Sequence, residues 1–464
     1  MEDRMPKTKR VNRRQFIKTA AAGVTLPLIL PHSVFGANSK INLAWIGAGD
    51  LGSVHLRHLD LNRINLVAVA DADLSRPPAE VRERFTGTRY FQDFRVMLDE
   101  LDDQIDAVGI ATHDRMHFPA AYMAISRGKH VFVEKPMVHS VWEARTLMNL
   151  AREKGVKTQM GNQGHGTEGI RLVKEWYQAG LIGEVREVLS WTNRPAEGVG
   201  FRPGSPRQYP NPEEIPDTLD WNQWLGPVTE DIGFSREFHP FFWRGWWQFG
   251  SGGLGDIGCH TLDTPFWAMD LESPKRIDVE LTEEPNPIHT VEGSVVTYRF
   301  DVPGGKPPVK IKWYEGPSSP RLPEGMDLPE TGRDYHTEGG LVMIGEKGII
   351  AHPNMRPDSP RLYPDSLWEE FRANPEMRPE RSLPRIRGGI VDDFWRCIRD
   401  GGTPISSFDY SAPLTEMILL GTLAIRTGNN IEFDAERMRI PNNSEADALL
   451  KVEAREGWDT DSLT

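Results

Sequence analysis

INLAWIGAGDLG (residues 41–52) joins an apolar hexapeptide to a glycine-rich turn, and its reading decides the fold. The run has the length of a buried strand, and GDLGSVHLRHLDLN after it has the pattern of a helix. Between them lies Gly47-Ala48-Gly49-Asp50-Leu51-Gly52, and each glycine has a separate task. Gly47 permits the tight turn, Gly49 lets the backbone approach a pyrophosphate, and Gly52 lets helix and strand pack closely. The free N–H groups and dipole of the helix N-terminus favour an anion there. INLVAVADAD supplies the next strand and ends on Asp71, placed to accept the two ribose hydroxyls of an adenosine. An acid at that position favours NAD over NADP, whose 2′-phosphate it would repel. Arg76 lies close enough to leave NADP open.

The alternation continues outward from this turn. PAEVRERF and FRVMLDELD have helical patterns, IDAVGIAT is a strand, HFPAAYMAISRG a helix, and HVFVEKP a strand. VWEARTLMNLAREKG is a helix with a glycine stop, and VKTQMG is a strand. Strands and helices alternating across short turns predict an α/β Rossmann domain, a parallel sheet covered on both faces, over residues 40–163. The rhythm then changes. After the helix GIRLVKEWYQAG come period-two segments, GEVREVLSWTNRP, KRIDVELT, SVVTYRFDV and VKIKWYEG. A hairpin is expected in GLVMIGEKGIIAHP around Glu346-Lys347-Gly348. Helices return at IVDDFWRCIRDGG and PLTEMILLGTLAIRTGN. Residues 164–440 are therefore expected to form an α+β domain on a mostly antiparallel open sheet, serving substrate binding and oligomerisation, with a C-terminal tail over 441–464. The proline-rich stretches 195–216 and 353–384 are expected as long surface loops or arms.

Length and charge agree with this division. The chain of 464 residues exceeds one ordinary core, and its net charge of −13 argues against a nucleic-acid partner. Residues 1–36 have the layout of a twin-arginine signal peptide. NRRQFIK and further basic residues precede the short apolar run TAAAGVTLPLIL, and small residues follow at Gly36 and Ala37. The run is too short for a stable membrane span, and the expected location is periplasmic or otherwise extracytoplasmic. Such a route carries proteins already folded, so a cofactor would be bound before export. Cys259 and Cys397 allow one disulfide but no framework.

Glu134-Lys135-Pro136 closes VFVEKP, at the end of the fifth strand. With the preceding IATHDRMHFPAAYMAISRGK and the later SGGLGDIGCHTLD and GNQGH, it resembles the glucose–fructose oxidoreductase and inositol dehydrogenase (Gfo/Idh/MocA) family over residues 40 to 435. The resemblance implies an NAD(P)-dependent oxidoreductase acting on a secondary hydroxyl of a sugar, cyclitol or glycoside. An alternative within the same fold is a glycoside hydrolase or lyase that works by transient oxidation of a ring carbon. It further implies nucleotide contacts from Gly47, Gly49, Asp50, Leu51, Gly52, Asp71, Thr112, His117, Glu134 and Lys135, and catalysis by Lys135, Asp256 and His260.

The residues themselves suit that chemistry. Hydride can leave carbon only as the hydroxyl proton leaves, so a base must reach that oxygen. His260 is a natural base, and Lys135 can bind the reacting oxygen or, with its pKa lowered, carry the proton. On a helix, Asp256, His260 and Asp263 fall at i, i+4 and i+7, on one face. Asp256 is then placed to orient the imidazole or to bind a substrate hydroxyl, although an N-cap competes as its role. Asn162, Gln163 and His165 are candidates to line the substrate site, each equally suited to a structural hydrogen bond. Most rings of FSREFHPFFWRGWWQFG (residues 234–250) are expected in a core or interface, with one or two reaching the substrate and Arg236 or Arg244 binding hydroxyls. No compact ligand set indicates a metal. A homodimer or homotetramer is expected from the open sheet.

Overall fold

The computed structural model describes residues 40–196, 199–323, 326 and 339–464, so the signal peptide expected over 1–36 lies outside the described residues. The first unit runs β1 (Ile41–Ile46), α1 (Asp50–Arg57), β2 (Ile64–Ala70), α2 (Ala79–Arg84), β3 (Arg89–Phe91), α3 (Phe94–Leu101), β4 (Ala107–Ile110), α4 (Asp114–Ser126), β5 (His130–Val133), α5 (Val141–Lys154) and β6 (Thr158–Met160). Its strands pair in parallel in the order β3-β2-β1-β4-β5-β6, so the direction of winding reverses between β1 and β4. A crevice opens at the carboxyl ends of these two strands, where such sheets bind ligands. Both faces of the sheet are buried, as its unbroken apolar strands require. Ile41, Leu43 and Trp45 face one core, and Ala44 and Ile46 face the other. Local chemistry sets the helix ends. Ser140 and Glu143 form a capping box at the start of α5, and Gly155 ends that helix in the left-handed conformation.

The second unit begins with α6 (Glu168–Gln178) and β7 (Val185–Thr192). It continues through α7 (Trp221–Leu225), α8 (Gly252–Thr261), α9 (Asp263–Ala268), β8 (Arg276–Leu281), β9 (Ser294–Val302), β10 (Lys306–Glu315), β11 (Gly340–Gly345), β12 (Ile349–His352) and β13 (Arg361–Tyr363). Then follow α10 (Asp365–Ala373), α11 (Gly389–Asp400), α12 (Phe408–Thr427), β14 (Ile431–Glu432) and α13 (Ser444–Ala448). The eight-stranded sheet has the order β13-β12-β11-β7-β10-β9-β8-β14, and only the β7–β10 pair is parallel. Along β9 every second residue, from Ser294 to Val302, is buried, and β11 and β12 form the hairpin around residues 346–348.

Two boundaries differ from the sequence expectation. Helix α11 packs on the first unit: Ile390, Phe394, Trp395 and Ile398 make one apolar face, and Phe394 meets Phe132 of β5. The stretch 353–384 contains β13 and α10 as well as loops, because Leu362 and Phe371 supply buried anchors. The C-terminal tail over 441–464 packs on the body, with Leu450, Trp458 and Leu463 buried. Cys259 and Cys397 are both buried and unpaired. No helix among the described residues is long and apolar enough to cross a membrane.

Gly109 of β4 tests how tightly the central strands are packed. A Cβ there would lie 2.1 Å from Cε3 of the buried Trp45 ring. Gly109→Ala is expected to cost about 1–3 kcal/mol, seen as a lower urea midpoint with an unchanged slope.

Candidate functional site

A crevice open to solvent lies at the β1–β4 switch point, where sheets of this topology bind ligands. Gly47, Gly49, Asp50, Leu51, Asp71, Arg76, Thr112, Glu134, Lys135 and Asp256 are all on its wall. The turn is a cradle that only glycine fits. Gly47 has φ +85° and its Cβ would lie 2.4 Å from the Ala111 carbonyl oxygen, and a Cβ on Gly52 would lie 2.0 Å from the Gly47 oxygen. Asp71 Oδ2 accepts the Ala48 N–H at 2.7 Å and Oδ1 accepts the Asp73 N–H at 3.0 Å, so the acid also ties the turn to the end of β2. Burial raises the Asp71 carboxyl. Arg76 donates to Asp50 at 2.9 Å, across the mouth of the turn. Together these residues fit a dinucleotide.

The centre of the site is an ion cluster joining both units. Lys135, just past β5, donates from Nζ to Asp256 Oδ1 at 2.6 Å and to the Asp256 carbonyl at 2.7 Å. Arg194, just past β7, donates to Asp256 Oδ2 at 2.5 Å, and Arg244 Nε lies 3.7 Å from Oδ1. Burial alone would raise the Asp256 carboxyl, but Lys135, Arg244 and Arg194 hold it well below the usual carboxylate range. Asp256 is thus the anchor of three cations, and no bond to the His260 imidazole is formed. His260 lies one turn further along α8, buried, with Nδ1 unpartnered. Burial and the charges of Lys135, Arg356 and Arg194 outweigh Asp256 and put its pKa far below the ordinary value. The imidazole is therefore neutral at pH 7, the form in which it can accept a proton.

Other candidates fall elsewhere. His117 is buried under the crevice, with Nδ1 2.8 Å from the Pro136 oxygen and Nε2 3.2 Å from the Thr112 oxygen. It positions the chain around Lys135 instead of lining the cavity. His165 Nδ1 lies 3.0 Å from Asp263 Oδ1, and Tyr410 donates to the same carboxylate. Asp263 and His165 thus form a cluster of their own, because α8 gives way to α9 at Leu262 and turns Asp263 away from Asp256. Gln163 donates to Glu134 at 3.2 Å, and Glu134 also meets His55 Nε2 at 2.7 Å. Both polar atoms of the buried Asn162 amide lack a protein partner. Arg236 pairs with Glu213, away from the site.

Sequence reasoning missed Arg194 and Asp114. Asp114, the first residue of α4, is buried near Asp256 and Lys135, and burial raises its carboxyl to about 7. Its position after β4, at the switch point, was the available signal. Also missed was the wall formed by residues 218–249. The Leu74 N–H donates to Thr218 O at 3.0 Å, the Asp220 N–H to Ala72 O at 2.8 Å, and His239 Nε2 lies 3.1 Å from Asp73 Oδ2. This arm brings Gln223, Trp224, His239, Pro240 and Trp243 over the nucleotide side of the crevice. Behind them Trp221, Phe234, Phe238, Trp246 and Phe249 pack as a separate core. Of the rings in residues 234–250, Trp243 lines the crevice, while Phe238, Trp246, Trp247 and Phe249 are buried. The segment 441–464 clamps the arm from outside: Arg455 donates to Gly226 O and to Asn222 Oδ1, and Trp458 lies under the Arg95 guanidinium.

Two family models match the chain. Residues 41–162 match the oxidoreductase family's NAD-binding Rossmann fold, and residues 203–301 match its C-terminal alpha/beta domain. A levoglucosan dehydrogenase of Pseudarthrobacter phenanthrenivorans is 24% identical over 48% of this chain and 50% of its own length. A glycosyl hydrolase family 109 protein of Shewanella pealeana is 29% identical over 49% of this chain and 56% of its own. The chain thus spans about half the length of the curated relatives it matches. The WlbA dehydrogenase of Bordetella pertussis, solved with NADH and UDP-GlcNAcA, shares the fold at TM-score 0.55 and 17% identity, over 85% of this chain and 99% of that one.

The lowered pKa of His260 has a direct readout. Its folded value lies below its unfolded value of about 6.5, so protonation favours the unfolded chain. Its contribution to stability is present above pH ~6.5 and is lost as pH falls below that. By NMR, the His260 ring resonances are expected not to titrate between pH 7.5 and 6; a midpoint near 6.5 would contradict the assignment.

Proposed function

We propose that this chain is an oxidoreductase of the Gfo/Idh/MocA family, that it oxidises a secondary hydroxyl of a sugar, cyclitol or glycoside, and that it holds its NAD tightly between turnovers. The observation that carries this reading is the Lys135–Asp256 ion pair beside a nucleotide cradle, with the buried His260 one turn further along the same helix. NAD, when bound, supplies the acceptor for hydride from the carbon that bears the hydroxyl. Two of the three Lys135 ammonium donors are held by Asp256, and the third remains for the substrate oxygen. There it stabilises negative charge as the hydroxyl proton departs. His260 takes that proton, and Asp256, fixed by Arg194 and Arg244, holds Lys135 in place.

Tight retention is supported by the arm over residues 218–249, whose contacts with Ala72, Asp73 and Leu74 roof the crevice beside Asp71. It also suits export of a folded protein by the twin-arginine route, since a periplasmic enzyme cannot count on free NAD. Oxidised and reduced forms must then interconvert in place, through a second substrate or through a redox-neutral cycle. The second reading, a glycoside hydrolase or lyase acting by transient oxidation, is favoured by the likeness to the family 109 protein.

Acid-denatured, dialysed protein is expected to release about one NAD per chain, measured by absorbance and chromatography; empty protein would refute retention. Lys135→Met is expected to keep the nucleotide and lower sugar-dependent turnover by about 100-fold or more. Release of aglycone from a synthetic glycoside without an added electron acceptor would select the redox-neutral cycle, and stalling after one turnover the dehydrogenase.

A further inference from the structure

The acid that opens α1 is an awkward neighbour for a nucleotide. Asp50 is the first residue of the helix whose N–H groups would meet a pyrophosphate. A carboxylate there suits the helix dipole, but it competes with the phosphates for the same positive end. The Asp50 backbone is also in the left-handed region, at φ +40°, which glycine adopts freely and other residues adopt at a cost. The rest of the crevice wall gives little relief. Its carboxylates are Asp50, Asp71, Glu134 and Asp256, and its arginines and lysines are Arg76, Lys135 and Arg244. Lys135 and Arg244 lie against Asp256, on the substrate side. Among the described residues that line the crevice, Arg76 is the one arginine or lysine standing at the turn.

Its place there is specific. Arg76 Nη2 donates to Asp50 Oδ1 at 2.9 Å, and among the described residues this is the only bond of the guanidinium. Its remaining N–H donors have no protein partner. The guanidinium also lies over Gly49, where an added Cβ would meet Nε at 2.6 Å, Nη2 at 2.7 Å and Cζ at 3.0 Å. Gly49 is the glycine whose missing side chain lets the pyrophosphate approach the backbone. Arg76 thus stands on the side from which the phosphates must come. We propose that Arg76 is the counter-ion of the bound pyrophosphate. The guanidinium yields its place over Gly49 and donates to the phosphate oxygens, while Asp50 keeps it at the turn. A guanidinium matches phosphate with paired N–H bonds and stays charged at any working pH. This role accounts for Asp50, whose carboxylate would repel the nucleotide if it held no cation. It also spends Arg76 on a group that NAD and NADP share. A 2′-phosphate then faces Asp71 with no arginine or lysine of the wall to receive it, so the site favours NAD. The proposal rests on the reading of the crevice as an NAD site and gives the proposed retention a residue.

Release and competition test it separately. Holoprotein is diluted into excess ADP-ribose, and the NAD set free is followed by filtration and chromatography. Arg76→Gln is expected to release NAD about tenfold or more faster than the parent protein, through loss of charge-assisted bonds. Arg76→Lys, which keeps the charge without the fork, should fall between the two. In the Arg76→Gln protein, Asp50→Asn should slow release again, because the carboxylate left beside the pyrophosphate is gone. Competition between ADP-ribose and its 2′-phosphate gives their relative affinity, which Arg76→Gln should leave unchanged, since both carry the pyrophosphate. Unchanged release from an Arg76→Gln protein with a normal melting profile would overturn the proposal. Unchanged release together with a relative affinity shifted against the 2′-phosphate would overturn it too, and give Arg76 to that group instead. Wild-type protein that carries no NAD is titrated with ADP-ribose by calorimetry. Binding weakened about tenfold by Arg76→Gln would then refute retention and leave the counter-ion standing. Retained NAD that leaves both proteins at one rate would do the reverse.

Discussion

The Asp256 carboxylate is the constraint around which the molecule is arranged. One cation comes from the end of a parallel strand in the first unit, Lys135, and one from the end of a strand in the second, Arg194. The acid itself sits in a helix whose ten residues are all buried. Removing water from a charge is expensive, and a buried ion pair offsets that cost only where geometry and further hydrogen bonds are good. Here a single carboxylate satisfies an ammonium and a guanidinium directly and keeps a second guanidinium close. The two sheets are thereby registered against each other at the point where chemistry would occur. A shift of either unit would leave a cation or the carboxylate uncompensated.

That arrangement also explains the division of labour along α8. Because Asp256 is committed to Lys135 and Arg194, it cannot hold the imidazole of His260. The histidine is left neutral by burial and by the cations, and the same cations would stabilise an alkoxide. The proton acceptor and the oxyanion stabiliser thus share one environment.

The parts legible in sequence were those written in consecutive residues. Gly47, Gly49 and Gly52 are read from one turn, and Lys135 from the strand end before Pro136. Asp256 and His260 are read from the family resemblance carried by SGGLGDIGCHTLD, with helical spacing in agreement. What escaped depends on distant parts of the chain. Arg194 is an ordinary loop arginine until β7 carries it to Asp256. His117 and His165 have the chemistry of site residues, but depth decides for them: carbonyls bind the first, and Asp263 binds the second. The packing of the C-terminal tail escaped because the partners of Trp458 and Arg455 are Arg95 and the arm at residues 222–227, far away in sequence.

That clamp has a consequence for the order of assembly. The residues that clamp the arm from outside, Arg455 and Trp458, are made after every other part of the crevice. During synthesis the glycine turn, the strand-end acid and the roof are therefore present before the fastening is. Until that segment is made, the arm is held over the crevice by its contacts with Ala72, Asp73 and Leu74 alone among those described above. Truncating the last stretch of chain would loosen the roof of the crevice with no atom of the nucleotide cradle altered.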